Sequence, residues 1–355
     1  MTAGGKGGRF AAAALVTIAA CAVLGSGANA RVPRGFFGMV PSGYDSNAEM
    51  QRMAANGVRE VRVLVNWYRV EPTQGVRDWS YYDDYVGRLA AAGLQPRPLL
   101  LGEPTWIPEF PRPPVYSPLA RASWQSFLTE LAGRYGRNGL FWRQNPGLPY
   151  MPMTDWEVWN EPNLSGYWGG RPDPHQYVRL LRNTGRALRR SDPKARIGVG
   201  GIFPPPRARY GVSLKAFMSR IYKVHGARRA FDAVSIHPYA GRPKGVIRAC
   251  RELRTILDRH QDRRTPIWIT EVGWSTGGAG WAQSPYRASE AAQAKFLSRT
   301  YRKLIALRRR LRIQRVVWHG WQDAQPGTPW TINMGLIHFD ESSKPSLAAY
   351  ARLPR

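Results

Sequence analysis

The chain has 355 residues and a net charge of +28, and its composition is 43% hydrophobic and 12% aromatic. These proportions exclude an intrinsically disordered protein, because apolar residues sufficient for a large core occur throughout the sequence. Arginine carries nearly all of the positive charge and is scattered over every segment. Such a surface attracts nucleic acid, acidic glycans or anionic envelope polymers, but it does not identify a reaction.

Residues 1–30 have the pattern of a secretory signal peptide. A basic start, MTAGGKGGRF, precedes an apolar run at 10–24, and the small residues ANA at 28–30 offer a cleavage site. The apolar run is shorter than the roughly 20 residues that span a membrane. We therefore expect an exported protein, secreted or associated with the cell envelope, whose mature chain begins near Arg31. The alternative is a lipoprotein anchored at Cys21, in the sequence IAAC.

Cysteine content limits the chemistry of residues 31–355. Cys250 is the one cysteine in this part, so neither an intramolecular disulfide nor a cysteine-based metal site can form there. The sequence also lacks a GxxxxGK[ST] phosphate loop and an HExxH zinc motif. We expect no metal, no cofactor and a monomeric protein.

From Gly35 onward, short β-branched or aromatic runs alternate with amphipathic runs at helical spacing. Eight runs are predicted as strands: residues 35–40, 58–67, 94–101, 154–161, 195–202, 231–239, 266–274 and 313–321. Eight strands alternating with helices over about 320 residues predict the α/β class and a single (β/α)8 TIM barrel. A doubly wound open sheet is the alternative, but no Gly-rich phosphate turn follows the first or second strand.

Residues 31–355 contain no internal repeat and no linker, so we expect one domain. Two Pro-rich segments, 102–118 and 203–212, follow the third and fifth predicted strands. In a barrel, loops that follow strands form the rim at which chemistry takes place.

Two glutamates stand at the ends of predicted strands. Glu161, in DWEVWNEPN, ends the fourth strand, which Pro162 stops, and Glu271, in ITEVGW, ends the seventh. In a (β/α)8 barrel both side chains lie at the same mouth. Two carboxyl groups about 5–5.5 Å apart perform retaining glycoside hydrolysis, one as the acid and the other as the nucleophile. The pair therefore predicts an O-glycosidase.

Asn160-Glu161 and Glu271 resemble the catalytic motifs of clan A of the retaining glycoside hydrolases, most closely those of families 39 and 5. The resemblance extends from the first strand to the final helix. It implies that Glu161 is the acid/base, that Glu271 is the nucleophile, and that Asn160 hydrogen-bonds the sugar 2-hydroxyl.

The neighbours of Glu161 favour the acid role independently of the resemblance. An acid/base needs a raised pKa, and the apolar surroundings offered by Trp156, Trp159, Tyr167 and Trp168 raise the pKa of a carboxyl group.

The resemblance also implies partners for the nucleophile. Arg62 matches the strand-two arginine that supports the nucleophile in the clan, and His237 and Tyr239, in SIHPY, match a histidine and a tyrosine close to it. A cation beside a carboxylate keeps it ionised, as a nucleophile requires. Each residue also has a structural interpretation, since an arginine can fill a barrel layer and a strand-end histidine can be a core residue.

Several tryptophans fall at predicted strand ends or in rim loops, where a flat ring can pack against the C–H face of a sugar. We expect Trp321 to form the platform under the bound sugar, with Trp318 as the alternative. Trp67, Trp106 and Trp168 are further substrate-binding candidates, and core packing is the alternative for each.

Two additional carboxylates need an interpretation. Glu157 precedes Glu161 by four residues and is expected to be a buried partner of the site. Glu103 follows the third strand; if it were the partner of Glu161 instead of Glu271, the reaction could be inverting.

These observations predict an exported retaining glycoside hydrolase that acts on a poly- or oligosaccharide, with an anionic cell-envelope glycan as the substrate that the charge favours. Two other functions stay open. One is a non-catalytic carbohydrate-binding barrel, and the other is a basic binder of an anionic envelope polymer. We expect no specific nucleic-acid partner and no transmembrane span.

Overall fold

Eight parallel strands close into a barrel in the computed structural model, which describes residues 31–43, 45–204 and 210–355 together with Met1 and Gly4. Each strand pairs with the next one in the chain, and the eighth pairs with the first. The closed barrel confirms the predicted TIM-barrel fold. The strands are β1 (Phe37–Met39), β2 (Glu60–Asn66), β3 (Gln95–Leu101), β4 (Asp155–Val158), β5 (Arg196–Ile202), β6 (Ala233–Ile236), β7 (Ile267–Val272) and β8 (Ile313–Trp318).

Helices follow the strands and pack around the barrel. Several begin where a serine side chain accepts the amide of the third helical residue, as at Ser46, Ser117, Ser213 and Ser289. The α-helices of the described residues are α1 (Asn47–Ala55), α2 (Trp67–Val70), α3 (Ser80–Ala91), α4 (Pro118–Tyr135), α5 (Leu140–Gln144), α6 (Ser165–Trp168), α7 (Pro174–Ser191), α8 (Leu214–Lys223), α9 (Pro243–Arg259), α10 (Glu290–Leu311) and α11 (Pro345–Ala351).

All of these elements belong to one unit, Val32–Arg355. The predicted signal peptide and Cys21 lie outside the described residues, as do positions 205–209 of the predicted loop 203–212. Within the described part of the chain, no helix is both long and apolar enough to cross a bilayer. Cys250 is fully buried in α9.

The fourth strand is shorter than the sequence predicts. It ends at Val158 rather than at Glu161, so Pro162 is not what stops it. The chain leaves the sheet earlier because Trp159 and Glu161 adopt left-handed backbone angles, with φ of 68° and 43°. Similarly, β6 ends at Ile236, and His237 follows it directly.

Charged side chains fill the barrel interior towards the N-terminal ends of the strands, where aliphatic residues are usual. Asp155 of β4 is 5% exposed and lies 3.2 Å from Arg97 of β3 and 3.3 Å from Arg196 of β5. Arg315 of β8 pairs with Asp155 as well and lies 3.4 Å from Glu60 of β2. This ionic layer links five strands, so the barrel depends on its charges being paired.

The ionic layer predicts how an Asp155→Asn variant will behave. Burial raises the pKa of the Asp155 carboxyl, but three arginines outweigh burial and lower it below its ordinary value. Removing the negative charge leaves the arginines without their shared partner, and we expect a loss of about 3 kcal/mol in the free energy of unfolding. Chemical denaturation at neutral pH measures this loss.

An Asp258→Asn variant is the control, because the Asp258 carboxyl group is 47% exposed in its pair with Arg254. It should cost less than about 1 kcal/mol. The contribution of Asp155 is present above its unfolded pKa of about 3.9 and is lost as the pH falls through its lower folded pKa. The free energies of unfolding of the unmodified protein and of Asp155→Asn should therefore converge in acid. A difference that stays constant down to the folded pKa would show that the ionised Asp155 carboxylate is not what stabilises the fold.

Candidate active site

The site lies where β4, β6 and β7 end at one mouth of the barrel. After β4, the left-handed turn at Trp159 and Glu161 directs the Glu161 carboxyl group into the mouth. The turn packs closely against β5, since a Cβ atom at Gly200 would lie 2.1 Å from the Trp159 carbonyl oxygen. Only glycine fits at position 200, so the sequence of β5 permits the turn that positions Glu161.

Glu161 and Glu271 meet at this mouth. Each is 8% exposed, and one oxygen of each carboxyl group lies within 4.8 Å of the other and of a His237 ring nitrogen. Glu271 is the fifth of the six residues of β7, so its position is set by the sheet. The structure therefore brings together the two glutamates that the sequence singled out.

Arg62 joins three polar side chains of the site. From β2, and only 6% exposed, it donates through Nε to Glu157 Oε2 (2.8 Å), through Nη1 to Glu271 Oε1 (2.6 Å) and through Nη2 to Asn160 Oδ1 (2.9 Å). The planar fork of a guanidinium satisfies all three acceptors at once, which a lysine cannot do. Arg62 thus lies in the site rather than on the surface.

Glu157 supports the site from below. Besides Arg62, it accepts the Gly201 amide and the Thr270 hydroxyl through Oε1, both at 2.8 Å. It is buried, as predicted, but it contacts Arg62 and Thr270 instead of Glu161. Its role in the structure is to hold Arg62 in place.

His237 pairs with Glu161 through a defined chain of donors. Its Nδ1 lies 2.8 Å from Glu161 Oε1, and its Nε2 lies 3.1 Å from Thr270 Oγ1. The single hydroxyl proton of Thr270 is donated to Glu157, so Thr270 accepts from His237 Nε2–H. The hydrogen bond between His237 Nδ1 and Glu161 Oε1 then carries one proton, on either the imidazole or the carboxyl group. The pair therefore shares one proton.

Burial and neighbouring charges push the pKa values of the two glutamates apart. Burial raises the pKa of Glu161, and the hydrogen bond from His237 only partly offsets it. Burial also acts on Glu271, but the charges of His237, His319 and Arg62, and the hydrogen bond from Tyr239, outweigh it and hold the pKa of Glu271 well below its ordinary value. One carboxyl group is set up as an acid and the other as an anion.

The family model of the glycosyl hydrolase catalytic core matches residues 158–350. This span covers more than half of the chain and includes Glu161 and Glu271. The chain belongs to the glycosyl hydrolase catalytic core family. Membership confirms the predicted resemblance to the glycoside hydrolases and the predicted enzyme class, a glycosidase.

Solved structures share the barrel. A family 39 glycoside hydrolase from Bacteroides cellulosilyticus has a TM-score of 0.68 at 22% identity, over 91% of this chain and 64% of that one. A monomeric beta-xylosidase from Caulobacter crescentus has a TM-score of 0.63 at 22% identity, over 90% and 68%. GH5_18 from Streptomyces cattleya, in complex with GlcNAc, has a TM-score of 0.65 at 18% identity, over 90% and 79%.

At these identities the likeness shows a common fold. This glycosyl hydrolase spans less than two thirds of the length of the Bacteroides protein. Among curated proteins, no sequence match was found.

Two further side chains of this glycosyl hydrolase lie close to Glu271. The Tyr239 hydroxyl donates to Glu271 Oε2 at 2.9 Å. His319, which directly follows β8, places Nδ1 3.4 Å from the same oxygen, and burial lowers its pKa. His319, in VVWHGWQD, was not predicted from the sequence, because the two tryptophans of this motif carry the stronger signal.

Most of the predicted tryptophan platforms are not open to a sugar. The exposed fraction is 0% for Trp67 and Trp321 and 1% for Trp168, and the alternative Trp318 is also at 0%. Trp67 packs against Trp124 and Phe127, and Trp168 donates to the Tyr116 hydroxyl at 3.0 Å. These rings fill the core because large aromatic residues at strand ends bury more surface against the helices than at the rim.

Trp106 keeps part of its surface open. It lies edge-on to Trp67, with ring centroids 5.6 Å apart, and donates to the Glu71 carbonyl oxygen at 2.9 Å. Glu103 is also buried, and burial raises its pKa to about 7. Arg62 hydrogen-bonds Glu157, Glu271 and Asn160 but not Glu103.

A cavity of about 700 Å³ opens beside Glu271 and extends across β1, β2 and β3. Arg62 and Asn160 line its inner end, and Arg69 and Tyr81 line its outer part. Leu64 and Tyr167 add exposed apolar surface, at 47% and 42% exposure. Tyr167 is therefore a wall of the cleft, whereas Trp156, Trp159 and Trp168 are buried in the core.

Within the described residues, Glu161, His237 and Glu271 are also the group whose spacing would suit a metal ion. Their ligand atoms already have protein partners, because Glu161 pairs with His237, and Glu271 with Arg62 and Tyr239. A cation there would have to compete with the Arg62 guanidinium.

The sequence GWSTG, residues 273–277, matches a serine nucleophile pattern, GxSxG. Ser275 is fully buried and donates its hydroxyl to the Gly277 carbonyl oxygen at 2.9 Å. The hydroxyl is thus held within its own turn, away from the barrel mouth, and this match does not describe a nucleophile.

The Arg62 geometry predicts that an Arg62→Lys variant will lose activity and change its pH dependence. A lysine cannot serve all three acceptors, so the pKa of Glu271 should rise, and kcat/KM should fall by about 100-fold. Measured against pH, the acidic limb of kcat/KM should move to higher pH. Arg69→Lys is the control, since Arg69 lines the same cavity without an ion pair to either glutamate. An unshifted acidic limb in Arg62→Lys would show that Arg62 does not set the ionisation of Glu271.

Proposed function

We propose that this glycosyl hydrolase cleaves O-glycosidic bonds of an oligo- or polysaccharide with retention of anomeric configuration. The approach of the Glu161 and Glu271 carboxyl oxygens to within 4.8 Å supports the proposal most directly. An inverting enzyme needs about 6.5–9.5 Å between its carboxyl groups to hold a water molecule, whereas a retaining enzyme needs about 5–5.5 Å.

In the first step, a Glu271 oxygen attacks the anomeric carbon while Glu161 gives its proton to the glycosidic oxygen. The C–O bond to the leaving group breaks, and a glycosyl ester of Glu271 forms. In the second step, Glu161 takes a proton from water, the water oxygen bonds to the anomeric carbon, and the ester bond breaks. Glu161 is protonated again and Glu271 is a carboxylate again, as in the starting state.

The roles are assigned by the partners of each carboxyl group. Glu271 accepts from Arg62 and Tyr239, which favours its anionic form. Glu161 is 8% exposed, and this burial favours its protonated form more strongly than the hydrogen bond with His237 disfavours it. If the roles were exchanged, Glu271 would have to be protonated while it accepts a hydrogen bond from the Arg62 guanidinium.

Asn160 suits the role of a sugar ligand. Its Oδ1 accepts from Arg62, which fixes the orientation of the amide and directs the NH₂ group, with its two N–H donors, towards Tyr167 and the cleft. Such a donor can hold a sugar hydroxyl next to the anomeric carbon. The cavity that continues from Asn160 to Arg69 and Tyr81 supports a substrate of more than one sugar unit.

Export is part of the proposal. It is supported by the charged start, apolar run and small-residue cleavage site of residues 1–30. Fractionation of cells that produce the full chain tests it, with the N-terminal sequence of the exported protein expected to begin near Arg31. A protein that keeps residues 1–30 in the cell interior would contradict export, and a lipid-modified Cys21 would favour the anchored alternative.

Chemical rescue by azide tests the double displacement. Glu271→Ala and Glu161→Ala should each lower kcat by at least about 10³-fold. Azide should restore turnover of an activated aryl glycoside in both variants, because the small anion fills the space of the lost carboxylate. The product should have inverted configuration with Glu271→Ala and retained configuration with Glu161→Ala, as NMR of the glycosyl azide determines.

The reverse pattern of products would exchange the two roles. Free sugar released with inverted configuration by the unmodified enzyme would contradict the retaining mechanism. A protein that binds the glycan but shows no hydrolysis, with or without these substitutions, would support the carbohydrate-binding barrel instead.

The separated pKa values predict a bell-shaped pH profile for kcat/KM. Activity should fall at low pH, where Glu271 becomes protonated, and at high pH, where the raised pKa of Glu161 is exceeded. With an aryl glycoside whose leaving group needs no protonation, kcat/KM reports the glycosylation step. For the Glu161→Gln variant this kcat/KM should no longer fall at high pH. A fall at high pH that persists unchanged in this variant would have to come from another group.

A further inference from the structure

A groove with a volume of about 690 Å³ runs between α9 and α10, on the outside of the barrel. Its floor is apolar, formed by Pro243 and Ile247 and by the aliphatic stems of the surrounding side chains. Cations stand on both walls: Lys244, Arg248 and Arg251 from α9, and Arg299 and Lys303 from α10. The groove continues past Arg242 and Lys295.

No aspartate or glutamate is among the described residues that line this groove or its continuation. None of the five wall cations takes part in an ion pair within the described part of the chain. All five side chains are exposed. The groove is therefore a run of positive charge that the fold itself does not neutralise.

The spacing of these cations works against helix stability. Lys244 and Arg248 are four residues apart on α9, and Lys295, Arg299 and Lys303 are each four residues apart on α10. Like charges at this spacing face each other along a helix and are destabilising. A stripe of such pairs on both walls is not needed for folding, which indicates a ligand that neutralises it.

The arginine bias of the chain does not account for the groove. The sequence has 44 arginines and eight lysines, and three of the eight lysines lie along this one groove. Both lysine and arginine contribute to the positive charge of the groove, whereas most of the positive charge of the remaining chain comes from arginine.

We propose that the groove between α9 and α10 binds a linear acidic polysaccharide, separately from the catalytic mouth. Carboxylate groups along the polymer would pair with the cations of both walls, and the C–H faces of the sugar rings would lie on the apolar floor. Holding the enzyme on an acidic polymer would raise the local concentration of glycan at the barrel mouth.

The groove fits this ligand better than a membrane or a nucleic acid. Membrane surfaces are bound by helices that insert large apolar side chains, and the exposed large hydrophobic residues of the described chain include none from α9 or α10. Single-stranded nucleic acid requires exposed aromatic rings for base stacking. The one aromatic ring at the groove, Phe296, is 6% exposed and is covered by the Arg242 guanidinium at 5.0 Å.

A fourfold substitution tests the proposal, with every protein carrying Glu271→Gln so that hydrolysis does not disturb binding. The groove variant replaces Lys244, Arg248, Arg299 and Lys303 with glutamine. Calorimetric titration with polygalacturonate should give a Kd raised by about tenfold or more and a weaker dependence of Kd on salt. Neutral dextran should not bind at the groove.

The matched control removes the same charge, two lysines and two arginines, from another pair of helices, α7 and α8. It replaces Arg179, Arg190, Lys215 and Lys223 with glutamine. These side chains are exposed and form no ion pair within the described residues. The control should keep the affinity of the parent, and neither variant should have a lower Tm than the parent, because all eight positions are on the surface.

If the groove variant and the control lost the same affinity for polygalacturonate, the proposal would be overturned, because binding would then depend on the net charge of the protein and not on the groove. Loss of affinity for duplex DNA or for vesicles of anionic phospholipid, with polygalacturonate binding unchanged, would also overturn it in favour of a different ligand. Because binding is measured without turnover, the outcome does not depend on the proposed retaining reaction.

Discussion

A single buried guanidinium governs the chemistry at the mouth of this barrel. Arg62 donates to Glu157, Glu271 and Asn160, and it supplies one permanent positive charge where three carboxyl groups converge. The interior cannot solvate several anions, and the contact with Arg62 favours the ionised form of Glu271. Glu161 receives no hydrogen bond from Arg62 and instead shares a proton with His237. Burial, these contacts and the charges of His237 and His319 together shift the pKa values of Glu161 and Glu271 in opposite directions.

The barrel can hold such a site because its interior is polar along much of its length. The ionic layer around Asp155 lies towards the N-terminal ends of the strands, and Glu157 and Thr270 lie between it and the catalytic mouth. Small residues on β5 make room for this arrangement. A Cβ atom at Gly201 would lie 1.9 Å from His237 Nε2, so the same strand that binds Glu157 through its amide also gives space to the histidine.

Residues whose positions depend on the sheet were predictable, whereas residues whose positions depend on packing were not. Glu271 and Arg62 lie within regular strands, where alternation and strand order decide which mouth and which face a side chain occupies. The tryptophans follow no such rule. Trp321 and Trp67 had the right place in the sequence for a platform, but burial of their large rings in the core stabilises the fold more than exposure at the rim would. His319 was overlooked because one histidine after a strand carries no pattern.

The sequence by itself determined the alternation of eight strands with helices, the pair of glutamates, and the excess of positive charge, because each is a local pattern or a composition. The tertiary structure decided the rest: the left-handed turn that ends β4 before Glu161, the distance between the carboxyl groups, the three-way contact of Arg62, and the facing rows of cations on α9 and α10. Each of these joins residues far apart in the chain. Distances between such residues are set when the barrel closes, and no local pattern in the sequence records them.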